Sequence, residues 1–348
     1  MNRVNIIQKQ LRKEGVSALI VTNPVNVRYL SNFVGTNGWL VVSTHKIVLV
    51  TDFRYFITAK KLLQKGISVY DYKLGLKPLF KSLKKIAFES EHITVSKLAN
   101  LKKQIPKIKW KGVSGWVEKI RMNKGLNEVN HMRYAAGIGD AALIKLQKFF
   151  KPGITEGELE SKLHDIILKL GAEEFSFPPI ITFGKDTADV HHQKKSDNKL
   201  KKGEKVLIDF GVKYKGYCSD MTRVFHFSSQ AKSKDEQKMY SIVLDANQKA
   251  ISSIHVGQKF SDLDKVARGV IDEAGYGEYF GHSTGHGVGL DIHETPNVSE
   301  LSKDTVQPGM VFTIEPGIYI EGKGGVRIED MVYIKPDGKV EVLTKSLK

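Results

Sequence analysis

From Arg3 to about Lys111, stretches of helical spacing alternate with short β-rich runs. In NIIQKQLRKEG the apolar positions fall on one helical face and Gly15 closes the run; ALIVT, which follows, is short and continuously apolar. WLVVST and KIVLVTD are two further β-rich runs with His45 at the turn between them, and FRYFITAKKLLQKG returns to helical spacing. This alternation predicts an α/β domain built on a mixed sheet. The character changes between Lys111 and Lys124. Beyond it, NEVNHMRYAAGIGDAALIKLQKFF predicts a long helix that starts near Asn127 and is stopped by KPG. TEGELESKLHDIILKLG then opens with Thr155 and Glu158 at capping-box spacing and ends on Gly171. Helices flanking strands thus define a second domain, and the division is placed at 1–120 and 121–348.

The second domain holds two candidate hairpins that each carry a pair of acids. In KVLIDFGVKYKGYCSDMTRVFHF, β-rich halves flank KYKG. A turn centred on Tyr214 and Lys215 would set Asp209 opposite Asp220, with Cβ atoms about 5 Å apart. KG is better turn chemistry than YK, so the pairing has room to slip by a residue or two. Like charges at that distance destabilise a sheet unless a cation lies between them; two aspartates on a wet face would explain this pair alone equally well. GMVFTIEPGIYIEGKGGVRIEDMVYI repeats the arrangement, with Glu315 facing Glu329 across a turn centred on Gly322. Four acids converging on one face require compensating positive charge, and the surface explanation weakens accordingly.

Bulk composition narrows the setting. No apolar run approaches the roughly 20 residues that span a bilayer, and the N-terminus lacks an apolar signal core, so a chain starting near Met1 and residing in the cytoplasm is expected. The single cysteine, Cys218, excludes an internal disulfide; two residues before Asp220, it is expected to be a buried structural thiol. Lys+Arg 54 against Asp+Glu 38 gives +16, mostly as lysine clusters at 81–85, 102–111 and 194–205. Few aromatics interleave with them and no nucleic-acid-binding signature accompanies them, so they are taken as solvated surface and a nucleic-acid partner is not expected.

Residues 281–294, GHSTGHGVGLDIHE, carry His282, His286 and His293 among four glycines. Each interior glycine costs a helix about 1 kcal/mol, so this is read as a loop or strand whose backbone passes close to the site, and not as a helical zinc pair. With four carboxylates from the hairpins it need supply only one nitrogen. Such a set suits two hard or borderline divalent ions, Mn, Co or Zn.

Asp209, Asp220, His286, Glu315 and Glu329, with GHGVGLDIHE, EPGIYI and GVRIED around them, resemble the five-ligand dinuclear site of the pita-bread metallopeptidases, in the branch of Xaa-Pro aminopeptidase and Xaa-Pro dipeptidase (prolidase). NVRYLSNFVGTNG and VTDFRY resemble the creatinase-type domain that precedes the catalytic domain in the proline-specific members. The resemblance implies a mixed-sheet creatinase-like domain over 1–120 and a pita-bread domain over 121–348, a curved antiparallel sheet with outer helices and two pseudo-symmetric halves. It implies that Asp209 serves one metal, Asp220 and Glu329 bridge, and His286 and Glu315 serve the other. His282 resembles a histidine on the leaving-group side, His293 one that holds the substrate carbonyl, and Arg327 an arginine that orients ligands. His191, in ADVHH, resembles a histidine of the proline pocket, although the family often has proline where Val190 stands.

The activity so implied is hydrolysis of the first bond of a peptide with proline second, Glu315 moving the proton from water to the departing nitrogen. A dipeptidase must also recognise the carboxylate after proline, commonly with an arginine; HETPNVS offers Asn297 at such a place, which tilts the reading toward the aminopeptidase. The rival from another class is a non-catalytic pita-bread binding module, or metal-free creatinase; such relatives lose ligands, and here all five positions are acid or histidine. Family members often form dimers, so Trp39, Arg54 and Tyr55 are candidates for a subunit contact, with a core or interdomain role as the plainer alternative for Arg54 and Tyr55.

Overall fold

The computed structural model describes residues 3–193, 197–228 and 233–348. The chain forms two compact units, Met1–Arg121 and Met122–Lys348. Among the described residues no helix is long and apolar enough to cross a membrane.

The first unit is one six-stranded mixed sheet. Strands β1 (Ala18–Val21), β2 (Gly38–Ser43), β3 (Ile47–Thr51), β4 (Ile67–Asp71), β5 (Lys85–Glu89) and β6 (Lys109–Val113) lie in the order β4-β3-β2-β1-β5-β6. β2 is antiparallel to both β1 and β3, which its short turn at His45 permits, whereas β1–β5, β5–β6 and β3–β4 are parallel and need crossovers. Helix α3 (Phe56–Leu62) supplies the β3–β4 crossover and α5 (Val95–Gln104) the β5–β6 crossover, while α1 (Arg3–Lys13) precedes β1, α2 (Pro24–Ser31) joins β1 to β2 and α4 (Lys77–Phe80) leads from β4 to β5. Trp39 is 9% exposed and stacks on Phe80 in the core, with ring centroids 6.4 Å apart. Arg54 donates from Nε and Nη2 to the Asp52 carboxylate at 2.8 and 2.9 Å while its side chain stays 60% exposed.

The second unit runs twice through the same order, two long helices and then strands. After a short helix, α6 (Glu118–Met122), that straddles the boundary come α7 (Leu126–Leu146) and α8 (Glu156–Lys169). Thr155 caps α8 reciprocally with Glu158, its Oγ1 accepting from Glu158 N and Glu158 Oε2 accepting from Thr155 N. Strands β7 (Glu174–Phe175), β8 (Ile180–Phe183), β9 (Lys205–Phe210), β10 (Val212–Tyr214), β11 (Tyr217–Cys218) and β12 (Met221–His226) follow as two antiparallel ladders, β12-β9-β8 and β11-β10-β7. Leu143, Leu159 and Leu163 of the helices pack on Ile181, Ile208 and Phe210 of the strands. Truncating one such leucine to alanine costs about 2–5 kcal/mol.

The second pass begins with α9 (Lys234–Ser253) and α10 (Phe260–Glu273). It continues into β13 (Gly285–Gly287), β14 (Glu294–Val298), β15 (Val311–Ile314), β16 (Gly317–Ile320), β17 (Gly324–Arg327), β18 (Asp330–Ile334) and β19 (Val340–Val342). The ladders are β14-β13-β15-β18-β19 and β16-β17, again antiparallel. Phe260 of α10 meets Phe312 of β15 edge to face at 5.0 Å. Buried Asn247 of α9 donates to Ile314 O and Ile328 O, bridging the gap where β15 gives way to β16 and β17 to β18.

The two hairpins differ in how their register compares with expectation. β15/β18 and β16/β17 share one register that places Glu315 opposite Glu329, as a turn on Gly322 requires. In the first hairpin the turn is Lys215-Gly216, both with positive φ (51° and 76°), and Lys213 pairs with Cys218. Asp209 therefore pairs with Thr222 and not with Asp220, a correction of two residues. Side chains alternate with period 2, so a two-residue shift keeps both aspartates on the same face. Gly211 marks the crossing between the two ladders of this half: a Cβ there would lie 1.7 Å from Ser219 O.

The lysine run at 194–205 is not uniformly solvated. Lys194 and Lys195 lie outside the described residues, while Lys205 is 2% exposed, its Nζ 3.4 Å from Lys323 O and 3.6 Å from Glu236 Oε1.

Candidate metal centre

Each acid of the site is delivered by the end of a strand. Asp209 is the penultimate residue of β9, Asp220 sits in the gap before β12, Glu315 just follows β15 and Glu329 just precedes β18. His286 is the middle residue of β13, where glycine on both sides is a steric requirement: a Cβ on Gly285 would lie 2.0 Å from Thr313 O, and one on Gly287 2.5 Å from Thr295 O. The glycine-laced segment is thus a strand pressed between neighbours, in line with the extended reading.

All nine predicted site residues line one cavity of about 370 Å³: Asp209, Asp220, His286, Glu315 and Glu329, with His191, His282, His293 and Arg327. One ligand atom each from Asp220, His286 and Glu329 lies within 4.8 Å of the other two. His286 Nε2 is 3.5 Å from Asp220 Oδ2 and 3.4 Å from Glu315 Oε1. Its Nδ1 is 3.1 Å from Gly287 O. A carbonyl only accepts, so Nδ1 carries the proton and the Nε2 lone pair faces the acids, the form in which imidazole binds a metal.

Hydrogen bonds hold the remaining groups. Arg327 Nη2 donates to Asp209 Oδ2 at 2.5 Å, Nη1 to Tyr319 Oη at 2.9 Å and Nε to Thr222 Oγ1 at 3.1 Å. Thr222 Oγ1 in turn donates to Glu329 Oε2 at 2.8 Å, and Thr313 Oγ1 to Glu315 Oε1 at 3.1 Å. His282 Nδ1 donates to Ser283 O at 2.8 Å, leaving Nε2 to accept from Tyr319 Oη at 2.9 Å. His293 stands edge-on to His286 with ring centroids 4.4 Å apart.

The electrostatics of this set call for a cation. Burial raises the pKa of Asp220 well above the usual carboxylate range, and the charges of Glu329, Asp209 and Glu315 push the same way. Glu329 is raised well above its ordinary value by burial and then by Glu315 and Asp209, and Glu315 is raised by burial against the opposing influence of His282 and Arg327. Burial lowers the pKa of His282, His286 and His293, favouring neutral imidazoles. Asp209 Oδ1 and Asp220 Oδ1 are buried without a hydrogen-bond partner. Four acids, one arginine and two unsatisfied carboxylate oxygens at one end of a cavity fit divalent cations, with carboxylate and imidazole donors suited to them.

Three polar side chains bonded to the site residues escaped the sequence reading, Tyr319, Thr222 and Thr313. Each had a usable signal: Tyr319 and Thr313 share strand parity with Glu315, and Thr222 with Asp220. The apolar walls Phe177, Ile180 and Ile292 had none, since nothing in sequence marks them off from core residues. Cys218 is fully buried with its thiol pushed up to about 12 by burial.

Residues 130–336 match Metallopeptidase family M24, and residues 3–123 match the Creatinase/Prolidase N-terminal domain. The chain belongs to family M24. Within it, the chain is an enzyme of the prolidase/X-Pro peptidase group. A peptidase of Staphylococcus epidermidis, described as uncharacterized, is 36% identical over 99% of both chains, and one of Bacillus subtilis, YqhT, is 36% identical over 93% of this chain and 92% of its own. Among solved structures, the chain is similar to an Xaa-Pro dipeptidase from Bacillus anthracis (TM-score 0.93, 36% identity, 99% and 98% of the two chains). It is also similar to a prolidase from Pyrococcus horikoshii (0.93, 32%, 100% and 99%) and an X-Pro aminopeptidase from Thermotoga maritima (0.89, 34%, 97% and 98%). The M24 chain therefore has the expected architecture, a mixed-sheet N-terminal domain and antiparallel sheets with helices in the pita-bread arrangement.

Proposed function

We propose that this M24 metallopeptidase is an Xaa-Pro aminopeptidase that removes the N-terminal residue from peptides with proline second. The observation that carries the choice is the charge of the cavity lining. Among the described residues that line it, Arg327 is the one lysine or arginine, and its guanidinium is engaged by Asp209, Tyr319 and Thr222. Asn297, exposed on β14, stands where a guanidinium for a free carboxylate would be useful. A dipeptide would bring such a carboxylate next to proline; a longer peptide brings a neutral amide.

In this reading Asp209, Asp220, His286, Glu315 and Glu329 hold two divalent ions, manganese, cobalt or zinc. Ions so held supply Lewis acidity and a water whose pKa is lowered toward neutrality. Glu315 accepts the proton of the attacking water and delivers it to the departing proline nitrogen, the transfer expected of a carboxyl whose pKa burial has raised. His293, kept neutral by burial, donates a hydrogen bond to the developing oxyanion. Proline nitrogen has no hydrogen to donate, so the leaving-group side is chosen by shape, with His191, His282 and the apolar walls around the ring. His282 is held for that place by the chain Arg327 to Tyr319 to His282. The enzyme is proposed to act as a homodimer on peptides in the cytoplasm.

The second reading, Xaa-Pro dipeptidase, is favoured by the names of two of the similar structures. Turnover of Ala-Pro against Ala-Pro-Ala by the manganese-loaded enzyme separates them. Preference for the tripeptide supports the aminopeptidase, and hydrolysis confined to the dipeptide overturns it.

A further inference from the structure

A buried ion pair engages Glu294, the residue that follows His293 in the chain. Lys124 follows the boundary between the two units, and its backbone N–H donates to Gly309 O at 2.8 Å while Asn123 Nδ2 donates to Pro308 O, also at 2.8 Å. The lysine backbone is therefore fastened to the turn that feeds β15, the strand leading to Glu315. From there the side chain runs inward, 1% exposed, and Nζ comes within 3.4 Å of Glu294 Oε2, a side chain 5% exposed. The other oxygen, Glu294 Oε1, accepts from Asp291 N at 3.0 Å, and a Cβ on Gly289 would lie 2.5 Å from it. The loop 289–294 is thus wrapped around the Glu294 carboxylate.

Glu294 opens β14 directly after the bend that carries His293, so anchoring Glu294 anchors the backbone from which the imidazole projects. With Glu294 drawn inward to Lys124, its neighbour His293 faces the cavity beside His286. Buried ion pairs add little net stability, because the desolvation of both charges offsets their attraction; what they supply is a fixed geometry. We propose that Lys124 and Glu294 are positioning residues for His293, setting the imidazole against the metal-binding end of the cavity by holding one segment to the base of the other.

The kinetic arm of the test rests on the Xaa-Pro peptidase reading; the spectroscopic arm does not. Lys124→Met leaves the glutamate charge buried without its lysine, and the double variant Lys124→Met/Glu294→Gln removes both charges at nearly constant volume. The double variant is expected to melt at the wild-type temperature yet to lose about 10- to 100-fold in kcat on Ala-Pro-Ala, with KM little changed. In metal-free protein labelled at histidine, the His293 imidazole signals should shift or split in both variants while those of His282 stay in place. A role confined to stability would restore kcat together with melting temperature in the double variant, and that result, or unmoved His293 signals, overturns the proposal. Wild-type enzyme inactive on every Xaa-Pro peptide would overturn the peptidase reading instead, and the His293 spectra would still decide this one.

Discussion

Arg327 and Asp209 meet with Nη2 donating to Oδ2 at 2.5 Å, which leaves Asp209 Oδ1 buried and unpartnered on the cavity side. One carboxylate thus has one oxygen given to an arginine and the other free for a cation. The guanidinium also holds Tyr319 and Thr222, three partners that a lysine ammonium cannot reach in the same fork geometry. Arg327→Lys is therefore expected to weaken divalent-metal affinity about 10- to 100-fold, measured by calorimetry on the metal-free protein, with a parallel loss in kcat/KM. Unchanged affinity would refute the ligand-orienting role.

Removal of metal should expose the repulsion among the buried acids. Chelated enzyme is expected to be inactive and to melt below the manganese-loaded form. Glu329→Gln should be inactive as well, but in the metal-free state it should melt above metal-free wild type, since it relieves like-charge contact with Asp220, Glu315 and Asp209. A gain of about 1 kcal/mol corresponds to roughly 2–4 °C for a unit of this size. Differential scanning calorimetry with and without manganese checks the opposite signs.

Asn297→Arg tests the charge argument for the aminopeptidase. An added guanidinium at the exposed edge of the cavity should pair with the carboxylate of a dipeptide. The ratio of kcat/KM for Ala-Pro to that for Ala-Pro-Ala is expected to rise about tenfold, or about 1.4 kcal/mol of discrimination. A ratio that does not move would mean the carboxylate is read elsewhere.

Cys218 gives a readout of folding that is separate from the chemistry. Burial pushes its thiol up to about 12, and thiolate is the reactive form, so at pH 8 the folded protein should stay unlabelled by a disulfide reagent over hours. In denaturant the thiol returns to an ordinary value near 8.5, and one equivalent should react at once. Each pH unit gained within the stable range should speed labelling of the folded form about tenfold, because the thiolate fraction grows by that factor below the thiol's pKa.

Much of the site was legible because its logic is one of parity. Glu315 and Glu329 could be paired from the position of Gly322, and Asp209 and Asp220 survived a mistaken turn, since a shift by an even number of residues leaves the facing side unchanged. The mistake itself came from centring the turn one residue too early, where Lys215-Gly216 takes the left-handed conformation. The place of Trp39 was not legible, because an aromatic on a β-rich run has no mark that separates core from contact surface, and here it packs on Phe80 in the core. Phe177 and Ile180 were illegible for the same cause. Lys124 was invisible because a lysine in a connecting segment reads as solvated until its burial against Glu294 is seen.

Both His282 and His286 give their Nδ1 proton to the main-chain carbonyl of the very next residue. Such an arrangement fixes the tautomer by local chain geometry, without recruiting any other side chain for the purpose. No point replacement can delete a peptide oxygen, so mutation can disturb this choice of tautomer only by bending the chain itself, and the coordinating nitrogen of His286 is turned toward its acids before any ion arrives.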